Sequence, residues 1–226
     1  MKMFAAAFCV LCGGMLFSAA AQGTSPTPER PKFKIEIRAT GEKGQGPSFA
    51  VTNLTGKTVT ACVFEQSYAS QAARKTTTVW DALMQGNTPN NTPIEPGQTV
   101  LRPLSPMMGN ALPDKVEVVA GVWADGESFG PPKWASNIFN NRALIASQNE
   151  DAAAILQRGL DQNWNRNQYQ QAFSGEPDSG PVYIVRTALT ATQQTGQTPQ
   201  EFTHTMQFLL QSFKQQADKL RKSIPH

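Results

Sequence analysis

Histidine is nearly missing from this chain of 226 residues, which has only His204 and the terminal His226. A Ser-His-Asp site needs a held imidazole. Only His204 stands where one could be held, in the first turns of a predicted helix, and no Gly-x-Ser-x-Gly run supplies a nucleophile. Cysteine is almost as scarce. Cys9 and Cys12 lie in an N-terminal segment expected to be removed, which leaves Cys62 alone and unable to form an internal disulfide. It sits in the apolar run Val59-Thr60-Ala61-Cys62-Val63-Phe64 and reads as a small buried hydrophobe of a strand. Two histidines and one mature cysteine give no zinc spacing. Acidic residues are sparse. Glu150-Asp151 and Asp125-Gly126-Glu127-Ser128 lack the alternating oxygen donors of a calcium loop. With no phosphate loop or dinucleotide fingerprint, no cofactor is expected. The Lys and Arg residues are scattered except near the C-terminus, so no nucleic-acid partner is expected.

Long apolar runs are also lacking, with one exception. After Lys2, residues 3–17 are apolar apart from Gly13 and Gly14, and Ser18-Ala19-Ala20-Ala21 closes the run with small side chains. At about 15 residues it falls short of the roughly 20 that a transmembrane helix needs. Ala19-x-Ala21 before Gln22 fits a signal-peptidase site. Residues 1–21 are read as a signal peptide, and the remainder as an exported protein, periplasmic or extracellular, with no mature membrane span. What is left suffices for one large domain or two small ones with a buried core.

The mature part divides by hydrophobic period. Residues 22–31 are rich in Ser, Thr and Pro and read as a flexible tether. Residues 32–130 read as a β-sandwich. Phe33-Lys34-Ile35-Glu36-Ile37-Arg38 alternates apolar and charged, as a half-buried strand does. Further strands are predicted over residues 48–52, 58–64, 76–84, 99–104 and 115–123, the last ended by the tight turn Asp125-Gly126. Short strands separated only by turn signals form antiparallel sheets, and without a disulfide the nearer analogy is a generic immunoglobulin- or fibronectin-like sandwich. The fold class is therefore α+β: an N-terminal antiparallel sandwich followed by three or four helices over residues 131–226.

After Gly130 the period lengthens to about 3.6. Pro132 opens a helix to about Leu160, with Trp134, Ile138, Ile145, Ala152 and Ile155 or Leu156 near one face. Residues 161–173 read as a polar, broken helix. Residues 181–194 carry Val182, Val185 and Leu189 at helical steps beside β-branched neighbours, and are read as helix. The last helix begins at a capping box, Thr198-Pro199-Gln200-Glu201. It repeats Phe202, Met206, Leu209, Phe213, Ala217, Leu220 and Ile224 at three- and four-residue steps. Each such side chain contributes about 1.5–3 kcal/mol when buried, so this face must pack. The simplest partner is the helix from Pro132; a homodimer through the last helix is the alternative.

Two residues stand out as candidate ligand or partner contacts. Trp80 lies in the weakest strand, where it could face outward and stack on a sugar; Asp125 sits in the acidic turn where an adventitious ion could rest. Trp123 and Trp134 are expected as core at the seam between the halves.

Val122-Trp123-Ala124-Asp125-Gly126-Glu127-Ser128-Phe129-Gly130, with Trp134 and Asn141-Arg142 beyond it, resembles exported bacterial proteins of unknown function in which a sandwich strand ends in an Asp-Gly…Phe-Gly turn before a helix. The resemblance covers about residues 47–145 and implies fold and export, with no active site to carry over. The expected role is a non-enzymatic protein that contacts another envelope or secreted protein. The alternatives are a carboxylate- or Ser-dependent hydrolase, and a protease-inhibitor-like sandwich presenting the loop at residues 86–91.

Overall fold

The structure, a computed structural model, describes residues 31–38, 46–69, 74–84, 92–104 and 112–225. The predicted signal peptide with Ala19, Ala21 and Gln22, nearly all of the tether, and the loop at residues 86–91 lie outside the described residues.

The β half holds two antiparallel sheets. One runs in the order β1 (Phe33–Arg38), β2 (Ser48–Asn53), β5 (Thr99–Pro103). The other runs β4 (Arg74–Asp81), β3 (Val59–Tyr68), β6 (Lys115–Trp123), β7 (Ser128–Phe129). Constant-type immunoglobulin domains keep their fourth strand beside the fifth. Here β4 instead pairs with β3 along its whole length, from Ala61 opposite Asp81 to Tyr68 opposite Arg74. Between the sheets lie Phe49, Val51, Val59, Cys62, Phe64, Ile94 and Trp123.

β3 and β6 lack the alternation of β1, and packing supplies the reason. Cys62 and Phe64 face the first sheet, while Ala61, Val63, Ala120 and Val122 face helix α1 (Pro132–Asp161) through Ile138. A sheet covered on both faces needs apolar residues on both. Trp134 packs at this seam as expected, whereas Trp123 turns into the sandwich, stacks on Phe33 and meets Phe129 at a tilt.

Three helices follow α1: α2 (Arg166–Ser174), α3 (Gly180–Gln194) and α4 (Pro199–Lys222). The capping box of α4 forms as read, with Glu201 N–H donating to Thr198 Oγ1 and Thr198 N–H to Glu201 Oε2 (2.8 Å). The apolar face of α4 is spent inside the chain: Phe202, Met206, Leu209 and Phe213 close a core with Ala152, Leu156, Phe173 and Val185. Arg221 pairs with Glu150 across the same interface (2.8 Å). The stripe that suggested a homodimer is thus occupied by the chain's own helices.

Three boundaries lie three or more residues from where the sequence puts them. β3 continues to Tyr68, because β4 pairs with it that far and β6 as far as Ser67. The strand expected at residues 76–84 ends at Asp81, whose Oδ1 accepts the Leu83 N–H (2.9 Å) and turns the chain. The polar helix expected at residues 161–173 starts at Arg166, after a turn described below.

One buried ion pair ties the halves together. Arg142, a third of the way along α1, donates from Nε to Asp81 Oδ2 (2.7 Å) and from Nη2 to Asp81 Oδ1 (3.2 Å). Its Nη2 also reaches Thr60 Oγ1 (3.0 Å) and its Nη1 the Ser223 carbonyl (3.2 Å). Both partners are essentially dry, at 1 % and 3 % exposure. β3, β4, α1 and the end of α4 are thereby joined at one guanidinium.

Cys62 has no exposed surface, and burial pushes its thiol far above the ordinary range. Since the thiolate is the reactive form, a water-soluble disulfide reagent should label Cys62 only as fast as the protein unfolds. Labelling of the native protein at the rate of a free thiol would show that the sandwich opens locally.

Candidate functional site

Among the described residues, no group of three or more His, Cys, Asp or Glu could hold a metal ion, and no helix is long and apolar enough to cross a membrane. The residues singled out from the sequence lie apart. Trp80 is buried in the sandwich, with the Arg102 guanidinium 4.1 Å from its ring centre, so it offers no stacking surface to a sugar. It points inward although β4 is an edge strand, while its neighbour Val79 points outward. Asp125 caps the β6–β7 turn: Oδ1 accepts the Glu127 N–H (3.0 Å) and Oδ2 pairs with Lys57 (2.7 Å). The lysine already occupies the place of a cation. His204 is exposed on the first turns of α4.

The concave feature with the richest side-chain chemistry lies at the end of the helical half away from the sandwich, about 26 Å along α1 from Arg142 at 1.5 Å per residue. α1 closes there in a Schellman motif. Asn163 takes the left-handed conformation (φ 53°), Trp164 N–H donates to the Gly159 carbonyl (2.8 Å) and Asn163 N–H to the Leu160 carbonyl (3.2 Å). Asn165 then caps α2 reciprocally with Gln168, its Oδ1 accepting the Gln168 N–H (3.1 Å) and its own N–H reaching Gln168 Oε1 (2.8 Å). Stop and start signals only two residues apart force a sharp turn and set Trp164 at its corner.

Three rings meet behind this corner. Trp164 lies edge-on to Tyr169 (5.5 Å between centres, 74° between planes), and Tyr169 lies edge-on to Phe202 at the start of α4 (5.6 Å, 67°). Trp164 is held by its Nε1–H, which donates to Gln162 Oε1 (2.8 Å). Tyr169 is buried against Gly159, where a Cβ would collide with its ring. The rings and Met206 form one side of a cavity of about 510 Å³, and the amides of Asn163, Asn167 and Gln197, with Thr203, lie around it. That volume is in the range of small-molecule sites.

Arg166 borders the same cavity. It holds the first position of α2, at the positive end of the helix dipole, where a cation is disfavoured. Its Nη2 donates to the Thr192 carbonyl (3.0 Å) and its guanidinium lies 5.3 Å from the Phe202 ring centre. Its Nε–H is buried with no acceptor. Arg142, Arg186 and Arg221 each hold a carboxylate, whereas among the described residues Arg166 has none within ion-pair distance.

No carboxylate, imidazole, thiol or amine lines this cavity. Its titratable side chains are Arg166 and Tyr169, and burial, reinforced by the charge of Asp161, pushes the tyrosine up to about 12. That tyrosine does not exchange a proton readily near neutrality. In the sequence Trp164 and Tyr169 fall within the polar, broken helix expected over residues 161–173, as its apolar marks. The signal that this expectation hides is Asn163-Trp164-Asn165-Arg166-Asn167-Gln168, where a left-handed-tolerant Asn precedes an Asn-x-x-Gln cap. Comparison with protein-family models, with curated proteins and with solved structures finds no match to this chain.

Proposed function

We propose that this chain is an exported, non-enzymatic binding protein that engages another envelope or secreted molecule through the cavity at the outer end of its helical half. One observation carries the reading. The cavity combines a wall of aromatic rings with amide donors and acceptors and a guanidinium that has no carboxylate partner among the described residues, yet holds no group suited to proton transfer or attack. Such a lining suits recognition, and it disfavours hydrolysis at this place by paired carboxylates or an activated serine. Export rests on residues 1–21, with Ala19-x-Ala21 before Gln22.

The test is cross-linking in intact cells of the native host with the tagged wild-type chain and two variants. Trp164→Ala removes the corner ring. Thr203→Trp obstructs the mouth without deleting a packed side chain, since Thr203 is exposed. A stoichiometric adduct seen with wild type and lost in both variants, each still melting cooperatively, is the expected result. An adduct untouched by either substitution, or none with wild type, would sink the proposal.

A further inference from the structure

We infer that the cavity takes a carboxylate carried on an apolar or aromatic body, with Arg166 as its charge partner. This rests on the reading of the cavity as the binding site and adds the chemical class of the ligand. Three observations at Arg166 point the same way. It stands where the dipole of α2 works against a cation, it has no carboxylate partner among the described residues, and its Nε–H is shut from solvent without an acceptor. Each raises the energy of the empty site. The Thr192 carbonyl and the Phe202 ring offset this only in part, because neither carries a countercharge and neither takes the Nε–H, and positions that break local rules are expected at functional sites. A small turn of the guanidinium toward the cavity would give an entering carboxylate both the charge and the orphan donor, in the planar fork geometry that arginine offers.

The remaining walls define the rest of the ligand. Trp164, Tyr169, Phe202 and Met206 line the cavity with rings and a thioether. No acidic side chain lines it to repel an anion. The space of about 510 Å³ accommodates one large side chain and its carboxylate. Such a group can come from the C-terminal residue of a polypeptide or from a free small acid.

The two sources and the charge requirement are separable in one experiment on the full chain labelled with 5-fluorotryptophan. Its four tryptophans are resolved by ¹⁹F NMR, with Trp164→Phe assigning the cavity signal. The probes are N-acetylphenylalanine and its amide, and Ala-Ala-Ala-Phe with a free or amidated C-terminus. The Trp164 signal should shift with the free acids at least about tenfold more tightly than with the amides. That preference should vanish in Arg166→Gln and survive in part in Arg166→Lys. Tighter binding of the free tetrapeptide than of N-acetylphenylalanine identifies a polypeptide terminus, and the reverse a small acid. Acid and amide binding alike, or a preference persisting in Arg166→Gln, would overturn the charge assignment while leaving the cavity as a binding site. If no acid moves the Trp164 signal at millimolar concentration, the carboxylate inference fails, and the cross-linking result still decides whether the cavity binds anything.

Discussion

Asp81→Ala is expected to lower the unfolding free energy by about 3–5 kcal/mol, the range for removing one partner of a dry ion pair. The loss comes mainly from what is left behind. Arg142 at 1 % exposure would keep its charge with only the Thr60 hydroxyl and the Ser223 carbonyl for company. Asp81 also accepts the Leu83 N–H, so the turn after β4 loses its anchor at the same time. Urea unfolding followed by circular dichroism measures the change. The double variant Asp81→Leu/Arg142→Leu serves as the control. Replacing both charges with apolar groups of similar size removes the stranded ion, so it should lose markedly less than Asp81→Ala alone. A single-variant loss below about 1 kcal/mol would place water in the joint and refute its dryness.

Gly130→Ala should cost about 2–4 kcal/mol, from a strained backbone and a steric collision together. Gly130 has φ +85°, and a Cβ there would strike the Val119 carbonyl oxygen and come within 2.7 Å of Ala120 Cα. Both contacts are to backbone, which cannot swing aside. Gly126, in the β6–β7 turn on the other side of β7, has φ +87° but open space around its would-be Cβ. Gly126→Ala therefore isolates the conformational part, about 1–2 kcal/mol. The difference between the variants, read from thermal or urea unfolding, is the worth of the close approach by which the chain leaves β7 and enters α1. Equal losses would mean that the strand β6 yields to the added methyl.

Much of this architecture is written locally. The alternation in β1, the stripe and capping box of α4, and the proline at the head of α1 were all readable, because each depends on residues a few positions apart. The run Val59 to Phe64, having no polar alternation, already describes a strand covered on both faces. What escaped reading depends on distant pairings. Asp81 and Arg142 are ordinary polar residues until β4 and α1 bring them to 2.7 Å. The inward direction of Trp80 follows from its register opposite Cys62, which no local pattern around it supplies. The cavity needed three segments at once, the end of α1, the start of α2 and the start of α4. Only the Asn-rich corner between the first two carries a local signal, and it is one that the expected polar helix over residues 161–173 hides.

The length of α1 makes the sandwich joint an aiming device. A swing of five degrees where the helix leaves the sheet, acting over a lever arm of about 26 Å, would move the cavity by about 2 Å, the scale on which a docked group gains or loses a hydrogen bond. Rigidity at Arg142 is thus worth more at the far end than at the near one. Loosening the joint would blur where the cavity points long before it unfolded the chain.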